Sequence, residues 1–165
     1  MLEIQKNTDE NFTSIIAVAH EVWPVAYGAI LSQEQLEYMM KMMYSVSSLQ
    51  LQAGTKKHRF IVAKRENDIV GFASYEFNFS KKPKTKIHKI YILTTEQGKG
   101  YGIKLMDFIT NEAKKTHQKT LILNVNKNNK AVRFYESLGF SICFEEVIAI
   151  GNGYVMDDYV MEKPI

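Results

Sequence analysis

Gly98-Lys99-Gly100-Tyr101-Gly102 sets three alternating glycines and a lysine between an apolar run and a stretch with helical spacing. Such a turn can hold phosphate. A helix N-terminus leaves backbone N–H groups unpaired and carries a partial positive charge. Glycines let that backbone approach anionic oxygens without side chains in the way. Lys99 adds a cation at the same turn. Two other phosphate motifs fit less well. A dinucleotide fingerprint needs glycine where Ile103 stands, and no Gly-Lys-Ser/Thr loop is present.

Groups able to move a proton lie upstream. His88 shares a strand pattern with Ile90 and Ile92, and a period of 2 predicts one face for all three. An imidazole with an ordinary pKa of about 6.5 suits proton removal at neutral pH. Glu76, on the preceding strand pattern, is the alternative base. Cys143 has no basic neighbour in sequence to lower its pKa. It is expected as a packed core thiol, so direct attack by an external nucleophile is the better mechanism. His20, His58, His88 and His117 are scattered singly and show no metal-ligand spacing.

The elements that must position these residues follow from periodicity. Leu2 to Gln5 alternates as a short strand. Thr8 or Asp9 is expected to cap a helix with Phe12, Ile15, Ile16 and Ala19 on its apolar side, stopped by Pro24. Ser32 with Gln35 has the form of a capping box, and the stripe Leu36, Met39, Met40, Met43 behind it reads as core. Phe60–Ala63 and Ile69–Phe79 form a hairpin through Glu66-Asn67-Asp68. Lys81, Lys82, Lys84 and Lys86 read as a solvated loop before a strand at 87–93. After the glycine turn come a helix (Leu105, Met106, Ile109, Ala113), a strand at 120–125 and a helix over 128–138. Gly139 stands where a left-handed cap belongs, and two strands follow around 140–150 and 154–161. The order β-α-α-β-β-β-α-β-α-β-β predicts an α/β (α+β) chain. Its mixed central sheet should have about six to seven strands, with helices on both faces.

The 165 residues suit one domain over 1–165, with 45% hydrophobic and 24% charged residues. A net charge of +3 gives no support for nucleic-acid binding. One cysteine precludes an internal disulfide, and neither a signal-peptide pattern nor a membrane-length apolar run is present. A cytoplasmic enzyme with no membrane partner is expected.

Gln97-Gly98-Lys99-Gly100-Tyr101-Gly102 matches the Gln/Arg-x-x-Gly-x-Gly/Ala pattern of the GNAT acetyltransferase superfamily. Asn128-Asn129-Lys130-Ala131-Val132-Arg133-Phe134-Tyr135-Glu136-Ser137-Leu138-Gly139-Phe140 is similar to that family's Asn-x-x-Ala to Tyr-Glu-x-x-Gly-Phe segment. The two lie in order with a strand between them, and the element order resembles the family fold over nearly the whole chain. The resemblance implies a GNAT-like acyl-CoA N-acyltransferase with acetyl-coenzyme A as cosubstrate and an amine as acceptor. It implies that Gly98 through Gly102, with Gln97 leading in, hold the pyrophosphate, with Lys104 at the 3′ side of the turn. Ile90, Tyr91 and Ile92 would pair their backbone with the pantetheine arm. Asn128 would contact the coenzyme. Tyr135 would sit at its sulfur as general acid, and the Ile92 N–H would serve the oxyanion. In the family the proton often leaves through ordered water. The acceptor would lie between Trp23-Pro24-Val25-Ala26-Tyr27 and the segment from Gly153 to Tyr159, whose aromatics and carboxylates suit a cation. The ending is similar to polyamine acetyltransferases, which implies a small amine or polyamine. A protein N-terminus or lysine as acceptor, and a non-catalytic acyl-CoA-binding module, are the alternatives. A homodimer through the exposed edge near the C-terminus is a further expectation.

Overall fold

A computed structural model describes residues 1–165. The strands are β1 (Leu2–Lys6), β2 (Arg59–Arg65), β3 (Asp68–Glu76), β4 (Lys84–Ile92), β5 (Thr120–Asn126), β6 (Ser141–Gly151) and β7 (Tyr154–Pro164). The helices are α1 (Thr13–Tyr27), α2 (Gln33–Met43), α3 (Val46–Ala53), α4 (Tyr101–Lys115) and α5 (Ala131–Ser137). The seven strands form one sheet in the order β1-β2-β3-β4-β5-β7-β6. Only β4 and β5 run parallel, which is the pair that the crossover through α4 requires.

Two cores lie on the two faces, as the period of a strand dictates. Ile61 and Ala63 of β2 pack with Leu105, Met106, Ile109 and Ala113 of α4 and Tyr135 of α5. Phe60 and Val62, one residue out of step, pack with α1, α2 and Leu49 of α3. Helices on both faces of a mixed sheet are what the sequence predicts, and the seven strands fall within the six to seven expected.

Several local expectations change. α1 runs through Pro24 to Tyr27. The missing N–H removes one helical bond, but Trp23 and Tyr27 are buried on either side and hold the last turn in place. Phe12, not Thr8 or Asp9, is the N-cap residue of α1 and gives no side-chain cap; Asp9 reaches the helix from four residues back, accepting from the Thr13 N–H at 2.8 Å. Ser32 accepts from Gln35 N at 3.1 Å. The Gln35 amide does not close the box; it donates to Val155 O at 2.8 Å and ties α2 to β7. α3 has no counterpart in the sequence reading. Only Lys81 and Lys82 of the basic run are exposed; Lys84 and Lys86 belong to β4, where they bond Glu162 and Asn124. Cys143 is exposed, because β6 is the sheet's outer edge and has no neighbour on one side. No helix is long and apolar enough to cross a membrane.

Candidate active site

The site begins where the parallel pair ends. β4 and β5 are in register only from Lys84 to Ile87 against Thr120 to Leu123. Beyond Ile87 they part, while β4 stays paired to β3 as far as Ile92. Leu93 N–H donates to Val70 O of β3 at 2.9 Å. Alternation along the strand therefore turns the backbone groups of Ile92 and Ile90 into the gap. Gln97 Nε2 donates to the Ile92 carbonyl at 3.2 Å. That bond ties the glycine turn to the end of β4 and spares the Ile92 N–H.

α4 opens beside this gap. Gly98 and Gly100 have φ near +79° and +80°, a left-handed backbone that glycine adopts without strain. Open space surrounds both positions. Gly100 is the N-cap and supplies no side-chain cap, so the first N–H groups of α4 lack a partner from it. A β-carbon at Gly102 would lie 3.2 Å from Phe134, so this glycine sets how closely α4 approaches α5. Lys99 bonds the buried Glu96 at 3.0 Å, which also holds Arg65, so the turn's lysine is tied down. Tyr101 is half-buried and Lys104 is exposed in the first turn.

Phenols from three elements converge at the gap. Tyr27 and Tyr91 hydroxyls lie 3.1 Å apart, and Asn129 Nδ2 donates to Tyr27 at 3.4 Å. Tyr135 packs against Phe134 and Phe140. Burial, then the nearby Tyr27, pushes the Tyr135 phenol well above its usual range, so it stays protonated and able to donate. Asn128 is exposed and uses its own N–H on Asn126 Oδ1. Asn129, which the sequence reading did not single out, is the residue that reaches the phenols; only the three-dimensional turn distinguishes the two. Trp23 is core, donating to Tyr44 at 3.0 Å.

Across the gap runs a polar row. Lys86 donates to Asn124 Oδ1, and Asn124 Nδ2 donates to Glu146 at 2.9 Å and to Asp158 Oδ2 at 3.4 Å. Asp158 is 6% exposed, and its Oδ1 is buried with no partner. Burial raises its pKa. Asp158 pairs in register with Asn126, whose carbonyl accepts from the N–H of Asn129, the residue that reaches Tyr27. Asp157 faces outward and pairs with Lys127 at 2.9 Å.

The two base candidates meet. His88 Nε2 lies 2.7 Å from Glu76 Oε1. Their geometry differs from expectation in one respect. Lys89 pairs with Ser74 and Ile87 with Tyr75, so His88 is the extra residue of a β-bulge. The bulge breaks the period of 2, and His88 turns to Glu76 and His58 instead of sharing a face with Ile90 and Ile92. His58 joins the pair: its ring stacks on His88 with centroids 3.8 Å apart and 13° between planes. The four histidines are therefore not all isolated. Burial is the first cause that lowers both imidazoles, His88 to about 2 and His58 to about 4, and it raises Glu76.

Residues 12–140 match the family model described as the acetyltransferase (GNAT) family. An L-methionine sulfoximine/L-methionine sulfone acetyltransferase of Salmonella typhimurium is 30% identical over 86 residues, half of each chain. A 5-NmdU N-acetyltransferase of Pseudomonas phage PaMx11 is 28% identical over 148 residues, 89% of this chain and 92% of that one. Among solved structures, the PaiA N-acetyltransferase of Thermoplasma acidophilum in complex with coenzyme A superposes with a TM-score of 0.84. It shares 24% identity over 100% of this chain and 99% of that one.

Proposed function

Because the chain belongs to the acetyltransferase (GNAT) family, whose members use acetyl-coenzyme A, we propose that it acetylates the primary amine of a small cationic acceptor, a polyamine being the model substrate. The observation that carries the choice of acceptor is Asp158. A buried carboxylate oxygen without a partner costs free energy unless a donor arrives. A substrate ammonium is a donor of the right charge, and the hydrogen-bonded Tyr27, Tyr91 and Asn129 are reached from Asp158 through its register partner Asn126.

The coenzyme lies with its pyrophosphate on the N–H groups of Gly98 through Gly102 and its pantetheine arm along Ile90, Tyr91 and Ile92. Gln97, Lys99, Tyr101 and Lys104 support the turn, and Asn128 borders the arm. The amine attacks the thioester carbon. The developing oxyanion takes the Ile92 N–H. A carbon–nitrogen bond forms, the carbon–sulfur bond breaks, and Tyr135 donates its proton to the leaving thiolate. The proton shed by the amine passes, directly or through water, to the His88–Glu76 pair, in which burial raises the proton affinity of the Glu76 carboxylate and the bonded imidazole holds it in place. The products are the acetamide and free coenzyme A.

Steady-state transfer to spermidine and simpler primary amines tests this. Saturable turnover, with the amine KM at least about tenfold higher in Asp158→Asn, supports it. Coenzyme binding with no turnover on any small amine would overturn it and leave peptide acceptors or a binding module.

We further propose assembly through β6, whose Ile142, Phe144 and Val147 are exposed along the sheet's outer edge.

A further inference from the structure

His58, Glu76 and His88 offer one ligand atom each, all within 4.8 Å of one another. They come from the lead into β2, the end of β3 and the bulge of β4, so no spacing in the sequence announces them. We propose that this trio binds a late first-row divalent cation, with Zn²⁺ as the probe, and that the bound ion blocks acetyl transfer. The inhibition rests on the proposed role of His88 and Glu76 as proton acceptor; the binding site does not.

Three observations carry the site. Two imidazoles and one carboxylate, with their ligand atoms within 4.8 Å of one another, are a donor set for Zn²⁺. Apart from stacking on His88, His58 has no partner that would lock it. Its Nδ1 is buried without a partner, and its Nε2 approaches Glu76 Oε1 only to 3.7 Å. The trio is half-buried, so an ion can reach it while shedding part of its water.

Two features limit affinity. The stacked rings must open from parallel for both Nε2 lone pairs to converge on one ion. Lys56, Lys86 and Lys89 surround the trio with positive charge. The affinity is therefore micromolar rather than nanomolar. Mg²⁺, which prefers oxygen ligands and keeps its water, does not compete.

The test is competition between metal-free protein and a chromophoric zinc chelator, without acyl coenzyme, in a Cys143→Ser background that removes the exposed thiol. One equivalent of Zn²⁺ bound, weakened at least about tenfold in both His58→Gln and Glu76→Gln, is expected. No stoichiometric binding, or equal binding by both variants, overturns the site. Imidazole NMR on the unsubstituted protein gives a second readout that needs no variant. Zn²⁺ must perturb two histidine rings and spare the other two, and a uniform or absent response overturns the site. Zn²⁺ bound at the trio with undiminished acetyl transfer supports the site and contradicts the proton-acceptor role. Intact transfer with no Zn²⁺ bound overturns this inference and leaves the proposed function standing.

Discussion

Asp158 is buried where the protein gives a partner to only one of its oxygens. Its folded-state pKa is raised by burial, so its contribution to stability is present below the unfolded value of 3.8 and is lost as pH rises through the folded value. Asp158→Asn should therefore raise the melting temperature at pH 7, by roughly 2–4 °C for about 1 kcal/mol. The gain should vanish near pH 3, where the carboxyl is protonated. The same variant should lose affinity for the amine. Calorimetric scans at the two pH values, set beside amine KM, check both halves. Tyr135 poses a simpler question. Tyr135→Phe keeps the ring packed against Phe134 and Phe140 and removes only the proton donor. A fall in kcat of about 100-fold with unchanged coenzyme affinity is expected from kinetics and titration.

At the scale of elements, the site is made by what the strands stop doing. Parallel pairing ends at Ile87 and Leu123, and the freed edge of β4 is the one proposed to pair with the coenzyme. α4 and α5 are held together at Gly102 and Phe134, one residue before Tyr135. Gly102→Val should wedge them apart. Overpacking costs about 1–3 kcal/mol, so scanning calorimetry should show a lower melting temperature and kinetics a reduced kcat. The bulge at His88 is a second device of this kind. It carries the imidazole to Glu76 and His58, where regular pleating would have sent it to the face of Ile90 and Ile92.

For the whole molecule, most of the architecture was legible because alternation and helical stripes report directly on the two faces of the sheet. Gly98, Gly100 and Gly102 were legible too, since few backbones need glycine at that spacing. What was not legible depends on tertiary contact. α3 lies in a polar stretch, with Leu49 and Gln52 its only buried residues. Pro24 stays helical because its neighbours are buried. Cys143 is exposed because its strand is last in the sheet. The meeting of His58 with His88 depends on register and a bulge, which composition does not encode. Pairing through β6 predicts a solution mass by light scattering of twice the 19.0 kDa chain, and a monomer at high concentration would refute that assembly.

The coenzyme site itself is tested most directly by calorimetric titration with acetyl-coenzyme A of the parent protein, Gly100→Asn and Gly100→Asp. Both substitutions tolerate a left-handed backbone better than other side chains, and they differ only in charge. Micromolar binding is expected for the parent, weaker binding for Gly100→Asn, and none measurable for Gly100→Asp, whose carboxylate repels the pyrophosphate. No binding by the parent, or equal binding by all three, would contradict a coenzyme seated on this turn.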